Sequence, residues 1–157
     1  MNSILMLLDK NARMSFEDIA TATGKTVAEV RDEIRTYEEN GTIKGYTALI
    51  DWENTDRNYV TAQIAVKIIL NGKIGFDDIA ERLASFEEVE TVSLMSGAYD
   101  LSLTVSGKTF QEVAMFVASR LSPLEGVQST STSFLLKTYK ERGIITKKDA
   151  DIREVGV

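Results

Sequence analysis

Residues 59–70, YVTAQIAVKIIL, alternate in polarity almost without a break. Val60, Ala62, Ile64, Val66 and Ile68 fall on one side of an extended chain, and Thr61, Gln63, Ala65 and Lys67 on the other. A period of two is the mark of a strand buried on one face only. Working forward, Asn71-Gly72-Lys73 reads as a turn. Phe76, Ile79, Ala80 and Leu83 have helical spacing up to Ser85, and Val89–Leu94 is a second strand. Ser96-Gly97-Ala98-Tyr99 breaks that strand, and Leu101, Leu103 and Val105 open a third. Lys108–Leu121 reads as one helix with Phe110, Val113, Ala114, Val117 and Leu121 inward, and Pro123 lies just past its end. Gly126-Val127 opens a last strand, Val127–Lys137. The order β-α-β-β-α-β over roughly 80 residues is the ferredoxin-like split βαβ unit.

Working backward, residues 51–58 (DWENTDRN) are polar and turn-rich and read as a linker, with Trp52 a packing anchor. Before it the period becomes helical. Residues 3–10 make a first helix, with Leu5 and Leu8 inward. Ser15 and Asp18 have the spacing of a capping box before Phe16, Ile19 and Ala20, and Gly24 stops that second helix. Thr26 caps a third helix carrying Val27, Val30, Ile34 and Tyr37 on one stripe, which Asn40-Gly41 ends. The segment from Thr42 to Ile50 is extended. Three helices and an extended tail outline a winged helix-turn-helix. A small helical bundle with no DNA role fits the same pattern. The expected fold is therefore α+β, in four parts: a winged helix-turn-helix (1–50), a linker (51–58), a ferredoxin-like domain (59–140) and a charged, poorly ordered or surface-draped tail (141–157).

Composition narrows the chemistry. The chain has 157 residues and contains neither Cys nor His. Disulfides, thiolate sites and Cys nucleophiles are excluded, and so are the commonest general base and transition-metal ligand. No carboxylate constellation stands out, so neither a catalytic site, a metal site nor a cofactor is expected. The Gly72–Gly75 region lacks the length and the Lys-Ser/Thr of a phosphate loop. Phe76, Phe86, Phe110, Phe116 and Phe134 read as core or interface. No apolar run reaches the ~20 residues of a membrane span. The start has no signal-peptide pattern, which fits a cytoplasmic protein.

Three stretches together resemble the leucine-responsive and asparagine-responsive (Lrp/AsnC) regulators of bacteria and archaea. They are residues 7–46 (LLDKNARMSFEDIATATGKTVAEVRDEIRTYEENGTIKGY), Ser96–Asp100 (SGAYD) and residues 126–132 (GVQSTST). The resemblance implies a DNA-binding N-terminal domain and an amino-acid-sensing C-terminal domain. It also implies homodimers that assemble to tetramers or octamers, with the effector between dimers. On that basis Arg13, Lys25, Thr26, Arg31, Arg35 and Lys44 are the candidates for DNA contact. Ser96, Gly97, Ala98, Tyr99, Asp100, Thr130 and Thr132 are the candidates for the effector. Glycine lets a backbone N–H approach a ligand, Asp100 can accept from an ammonium, and the two threonines share a strand face. A Gly-containing hairpin with strand-favouring threonines is the alternative.

The charge argues the other way. The whole chain is −6, and residues 1–50 carry six basic and eight acidic side chains, a net −2. The third helix sets Glu29, Asp32, Glu33, Glu38 and Glu39 against Arg31 and Arg35. Phosphate binding requires cations. An oligomeric amino-acid-sensing or structural module with weak or no DNA binding is therefore the competing reading. Two helices can cover only one sheet face, so the other face is expected to close against a second copy. Residues 59–140 would then form an obligate dimer. An apolar closure of several hundred Å² at ~25 cal/mol per Å² would give on the order of 10 kcal/mol before association costs.

Overall fold

The computed structural model describes residues 3–146 except 58, 71 and 73. It divides into two compact units, residues 1–50 and 51–157. Residues 147–157, most of the charged tail, lie outside the described residues.

The first unit is three helices: α1 (Ser3–Lys10), α2 (Phe16–Thr23) and α3 (Val27–Glu39). Their limits follow from local chemistry. The Asp18 N–H donates to Ser15 Oγ at 3.0 Å at the start of α2. Gly24 ends it in the left-handed region at φ 69°, which a side chain rarely adopts. Thr26 and Glu29 complete a reciprocal capping box on α3. Ile4, Ile19, Ala20, Val30 and Ile34 form the core, with Leu7, Leu8, Met14, Val27 and Ile43 packed on it. Ile4 rather than Leu5 is the buried residue of α1. Residues 44–50 take no strand partner, so the expected wing is extended chain without a ladder. Ile43 N–H donates to Tyr37 O at 2.9 Å at its root, and the Tyr46 hydroxyl donates to Glu38 further along.

The second unit holds β1 (Val60–Ile68), α4 (Phe76–Ala84), β2 (Val89–Leu94), β3 (Leu101–Gly107), α5 (Phe110–Phe116) and β4 (Val127–Phe134). The strands lie in the order β2-β3-β1-β4, all antiparallel. This is the βαββαβ sheet that the alternation predicts. Ala62, Ile64, Val66, Ile68, Leu101, Leu103 and Val105 are buried beneath Ile79 and Leu83 of α4 and Val113 and Phe116 of α5.

Two stretches depart from expectation. The helix expected over 108–121 is α only to Phe116, and Val117–Leu121 is a π turn. Ser122 N–H donates to Val117 O at 2.8 Å, the wider i→i+5 closure. The extra residue per turn brings Leu121 round into the core and leaves Arg120 at the surface edge. Phe110 and Ala114, expected inward, are exposed. Phe110 caps Phe134 edge-on instead, with ring centres 4.8 Å apart. The last strand stops at Phe134, not Lys137, and Leu136 is 84% exposed. Beyond it Lys140–Glu141 (β5) and Ile144–Ile145 (β6) form a short ribbon that runs from the last residue of the expected domain into the region expected to be tail.

The uncovered sheet face differs most from the expectation of an apolar closure. Register places Thr61, Gln63, Ala65 and Lys67 of β1 beside Ser102, Thr104 and Ser106 of β3 and Ser129, Ser131 and Ser133 of β4. Thr91 and Ser93 extend it on β2. Ala65 is the one aliphatic side chain among them. The hydroxyls are cross-linked between strands: Gln63 Nε2 donates to Thr104 Oγ1 at 3.0 Å, and Thr91 Oγ1 lies 2.7 Å from the same oxygen. An estimate based on apolar area does not apply to this face.

Candidate functional site

The third helix explains its own acidity. Of its five carboxylates, Glu29 accepts from Thr26 N–H at 2.8 Å. That backbone hydrogen bond, helped by the Thr26 hydroxyl, holds the Glu29 carboxyl below the usual range. Glu33 pairs with Lys25. Glu38 accepts from the Tyr46 hydroxyl at 2.9 Å, and burial together with that bond pushes the Tyr46 phenol up. Three acidic groups are thus committed to capping, pairing and tethering. Each of the three keeps its charge, and the Lys25–Glu33 pair takes one cation out together with one anion, so the net charge of the helix stands as counted from sequence.

The cations divide in the same way. Lys25 is half-buried against Glu33, so it serves the fold first. Thr26 is the cap residue. Arg31 is exposed and lies over the Phe16 ring, 5.4 Å from its centre. Arg35 is 60% exposed on its side chain, with Asp32 at 3.8 Å, a loose pair at the surface. Arg13 and Lys44 are exposed. Arg31 and Arg35, four residues apart on α3, are therefore the cations that this helix presents to solvent.

In the second unit, residues 96–99 form the loop between β2 and β3. Met95 N–H donates to Asp100 O at 2.8 Å and closes it. Ser96, Gly97 and Ala98 are exposed, and Tyr99 is half-buried. Asp100 is already engaged. Its Oδ2 accepts from Ile68 N–H at 2.8 Å and its Oδ1 from Lys67 Nζ at 3.0 Å. The backbone bond first, and Lys67 second, hold its carboxyl below the usual range. Asp100 is thus a clamp between the loop and the end of β1, and it keeps its charge. A Cβ on Gly97 would meet nothing within 4 Å, so no packing inside the chain requires glycine there.

The threonines do not join this group. Thr130 pairs with Val66 and Thr132 with Ile64, residues of the helix-covered face. Asp100 lies with Lys67 on the other side of the sheet. Two residues at i and i+2 share a face, as expected, but strand pairing decides which face. Sequence reasoning passed over Lys67, which the alternation marks only as outward-facing. It also passed over Glu88 and Arg120, 32 residues apart and ion-paired. No local pattern announces either pair. Among the described residues no three acidic side chains converge as a metal ion would need, and no helix is long and apolar enough to cross a membrane.

Comparison with known proteins gives a consistent result. The family model for the Lrp/AsnC ligand binding domain matches residues 61–145. An uncharacterised HTH-type transcriptional regulator of Bacillus subtilis, YugG, is 43% identical over 155 residues, covering 98% of this chain and 93% of that protein. The leucine response regulatory protein of Mycobacterium tuberculosis superposes with TM-score 0.74 at 23% identity, over 89% of this chain and 92% of that one. A transcriptional regulator from Neisseria meningitidis, solved with L-methionine, gives TM-score 0.69 at 23% identity over 96% and 95%. With the capped helix-turn-helix, the β2-β3-β1-β4 sheet and these matches together, the chain belongs to the Lrp/AsnC family of HTH-type transcriptional regulators, which are not enzymes.

Proposed function

We propose that this regulator binds DNA as a cytoplasmic homodimer, open to assembly into tetramers or octamers, and that an amino acid at the Ser96–Asp100 loop changes its grip on DNA. In this reading Arg31 and Arg35 make the principal contacts on α3, with Arg13 and Lys44 on flanking phosphates. Lys25 and Thr26 hold the helix start. The single observation that carries the DNA reading is the pair of exposed arginines one turn apart on α3, Arg31 over Phe16 and Arg35 beside Asp32. The methionine complex of the Neisseria regulator supports an amino acid as effector. Here the loop backbone would meet its carboxylate, and Asp100 would orient the loop rather than receive the ammonium directly. An effector shifts DNA affinity only if it binds one assembly or conformation better than another.

The test is a gel shift on the DNA upstream of its own gene at low salt, with and without methionine or leucine. Retardation at micromolar dimer, weakening with salt and lost in Arg35→Ala, is expected. A second reading, a sensing module that does not hold DNA, is favoured by the −2 charge of residues 1–50. Absence of any shift at micromolar dimer selects it.

A further inference from the structure

Arg57, just before β1, lies over two aromatic rings. Its guanidinium carbon is 4.4 Å from the centre of the Trp52 ring and 4.1 Å from that of Tyr59. A ring offers a cation its π face and no lone pair, so these contacts hold Arg57 in place without satisfying its fork of N–H donors. Lys108 stands beside it. Val60 pairs with Gly107 at the start of β1, which brings Tyr59 and Lys108 together just past the ladder. Arg57, Tyr59, Lys108 and Thr109 line a cavity of about 390 Å³. Arg57, Lys108 and Thr109 are exposed and Tyr59 is half-buried, so each has surface to offer a ligand.

The polar groups of this cavity are unspent. Among the described residues neither Arg57 nor Lys108 is ion-paired. Thr109 Oγ1 accepts from Glu112 N–H at 3.1 Å, which leaves its own O–H to donate. Two carboxylates stand nearby and are engaged elsewhere. Glu90 accepts from the Tyr59 hydroxyl at 2.8 Å, and Glu112 from the Lys108 backbone N–H at 2.7 Å. Neither lines the cavity. A chain of net charge −6 thus holds a cavity walled by two cations and no anion. Its complement has two negative charges, several acceptor oxygens and a carbon body that lies on the Tyr59 ring and the Lys108 stem. A phosphate monoester carries close to two charges at neutral pH, whereas a carboxylate or sulfonate carries one. We propose that this cavity binds the phosphate of a small phosphomonoester, at the end of β1 opposite the Ser96–Asp100 loop. The Arg57 fork would take two phosphate oxygens, and Lys108 with the Thr109 hydroxyl a third.

Trp52 is the one tryptophan of the chain, so its fluorescence reports on this stack. The full chain is titrated with phenyl phosphate, and saturation-transfer NMR gives a second reading that does not depend on Trp52. Benzenesulfonate, the same ring with a single charge, and a DNA duplex are the comparators. Phenyl phosphate is expected to bind at ~1 mM or tighter at low salt and more weakly as salt is added. Benzenesulfonate is expected to bind about tenfold more weakly, since it brings half the charge. Arg57→Gln and Lys108→Gln, both at exposed positions, are each expected to weaken phenyl phosphate about tenfold with circular dichroism and DNA retardation unchanged. No binding at ~10 mM would overturn the proposal. Equal binding of benzenesulfonate, or unchanged affinity in both variants, would do the same. Displacement of phenyl phosphate by the duplex at equal phosphate concentration would assign the two cations to the DNA backbone and overturn it as well.

Discussion

The two faces of the four-stranded sheet are built from the same strands and do opposite things. On the helix side, Ala62, Ile64, Val66, Leu101, Leu103 and Val105 are fully buried. On the open side almost every position is Ser, Thr or Gln, and the side chains bond to each other across strands. The first face is how an 80-residue domain folds: it removes apolar area from water. The second face contributes little of that kind. Its small hydroxylic side chains make a polar surface whose groups are partly satisfied by one another. The contrast teaches that a strand's alternation reports which face is core, but not what its other face is for.

The sharpest way to break this comparison is to cut one residue from each face. Leu103→Ala should cost about 2–5 kcal/mol in urea unfolding, because a fully buried side chain leaves a cavity. Its neighbour Thr104→Ala should cost far less; equal losses would show that the hydroxyl face also carries the fold. The next effect is on assembly. Ala65→Glu sets a charge in the middle of the open face, where a two-fold partner would bring its own copy close. Sedimentation should show loss of association with far-UV circular dichroism unchanged. A variant that still associates would move the interface to another surface.

A smaller effect concerns acid. Asp100 has its folded pKa held below its unfolded value by Ile68 N–H and Lys67. Its contribution is complete above the unfolded carboxylate range and disappears as pH falls through the lowered folded value. Asp100→Asn should therefore lower stability at neutral pH and flatten the acid limb of the stability curve. An unchanged acid limb would remove Asp100 from the clamp. The smallest effect is expected at Ser131→Ala, within about 0.5 kcal/mol for the folded chain, as for surface substitutions generally. It should be detectable only as weaker self-association.

Much of this was legible from sequence, and what was missed has a common cause. Caps at Ser15 and Thr26 depend on residues three apart and the stop at Gly24 on its own left-handed backbone, and the structure sets the helix limits there. The alternation of residues 60–68 and the order of the six elements were equally plain. Three features were not. The π turn at Val117–Leu121 was hidden because Val113, Val117 and Leu121 also fit an α stripe, and only packing shows the added residue. Asp100 looked like a free acceptor because its partners, Lys67 and Ile68, are more than 30 residues away. Thr130 and Thr132 looked like partners of Asp100 because residue spacing gives parity along one strand, whereas the face is fixed by register across β1. The acidic third helix was legible only as a charge: its sequence does not tell that Glu29, Glu33 and Glu38 are engaged by the cap, Lys25 and Tyr46.

The claim on which the proposed function turns is that the chain works as a homodimer or a larger even assembly. Sedimentation equilibrium of the full chain at micromolar concentration tests it most directly. The predicted result is a mass of twice 17.4 kDa or a higher even multiple, with no monomer. A single species at 17.4 kDa would contradict it.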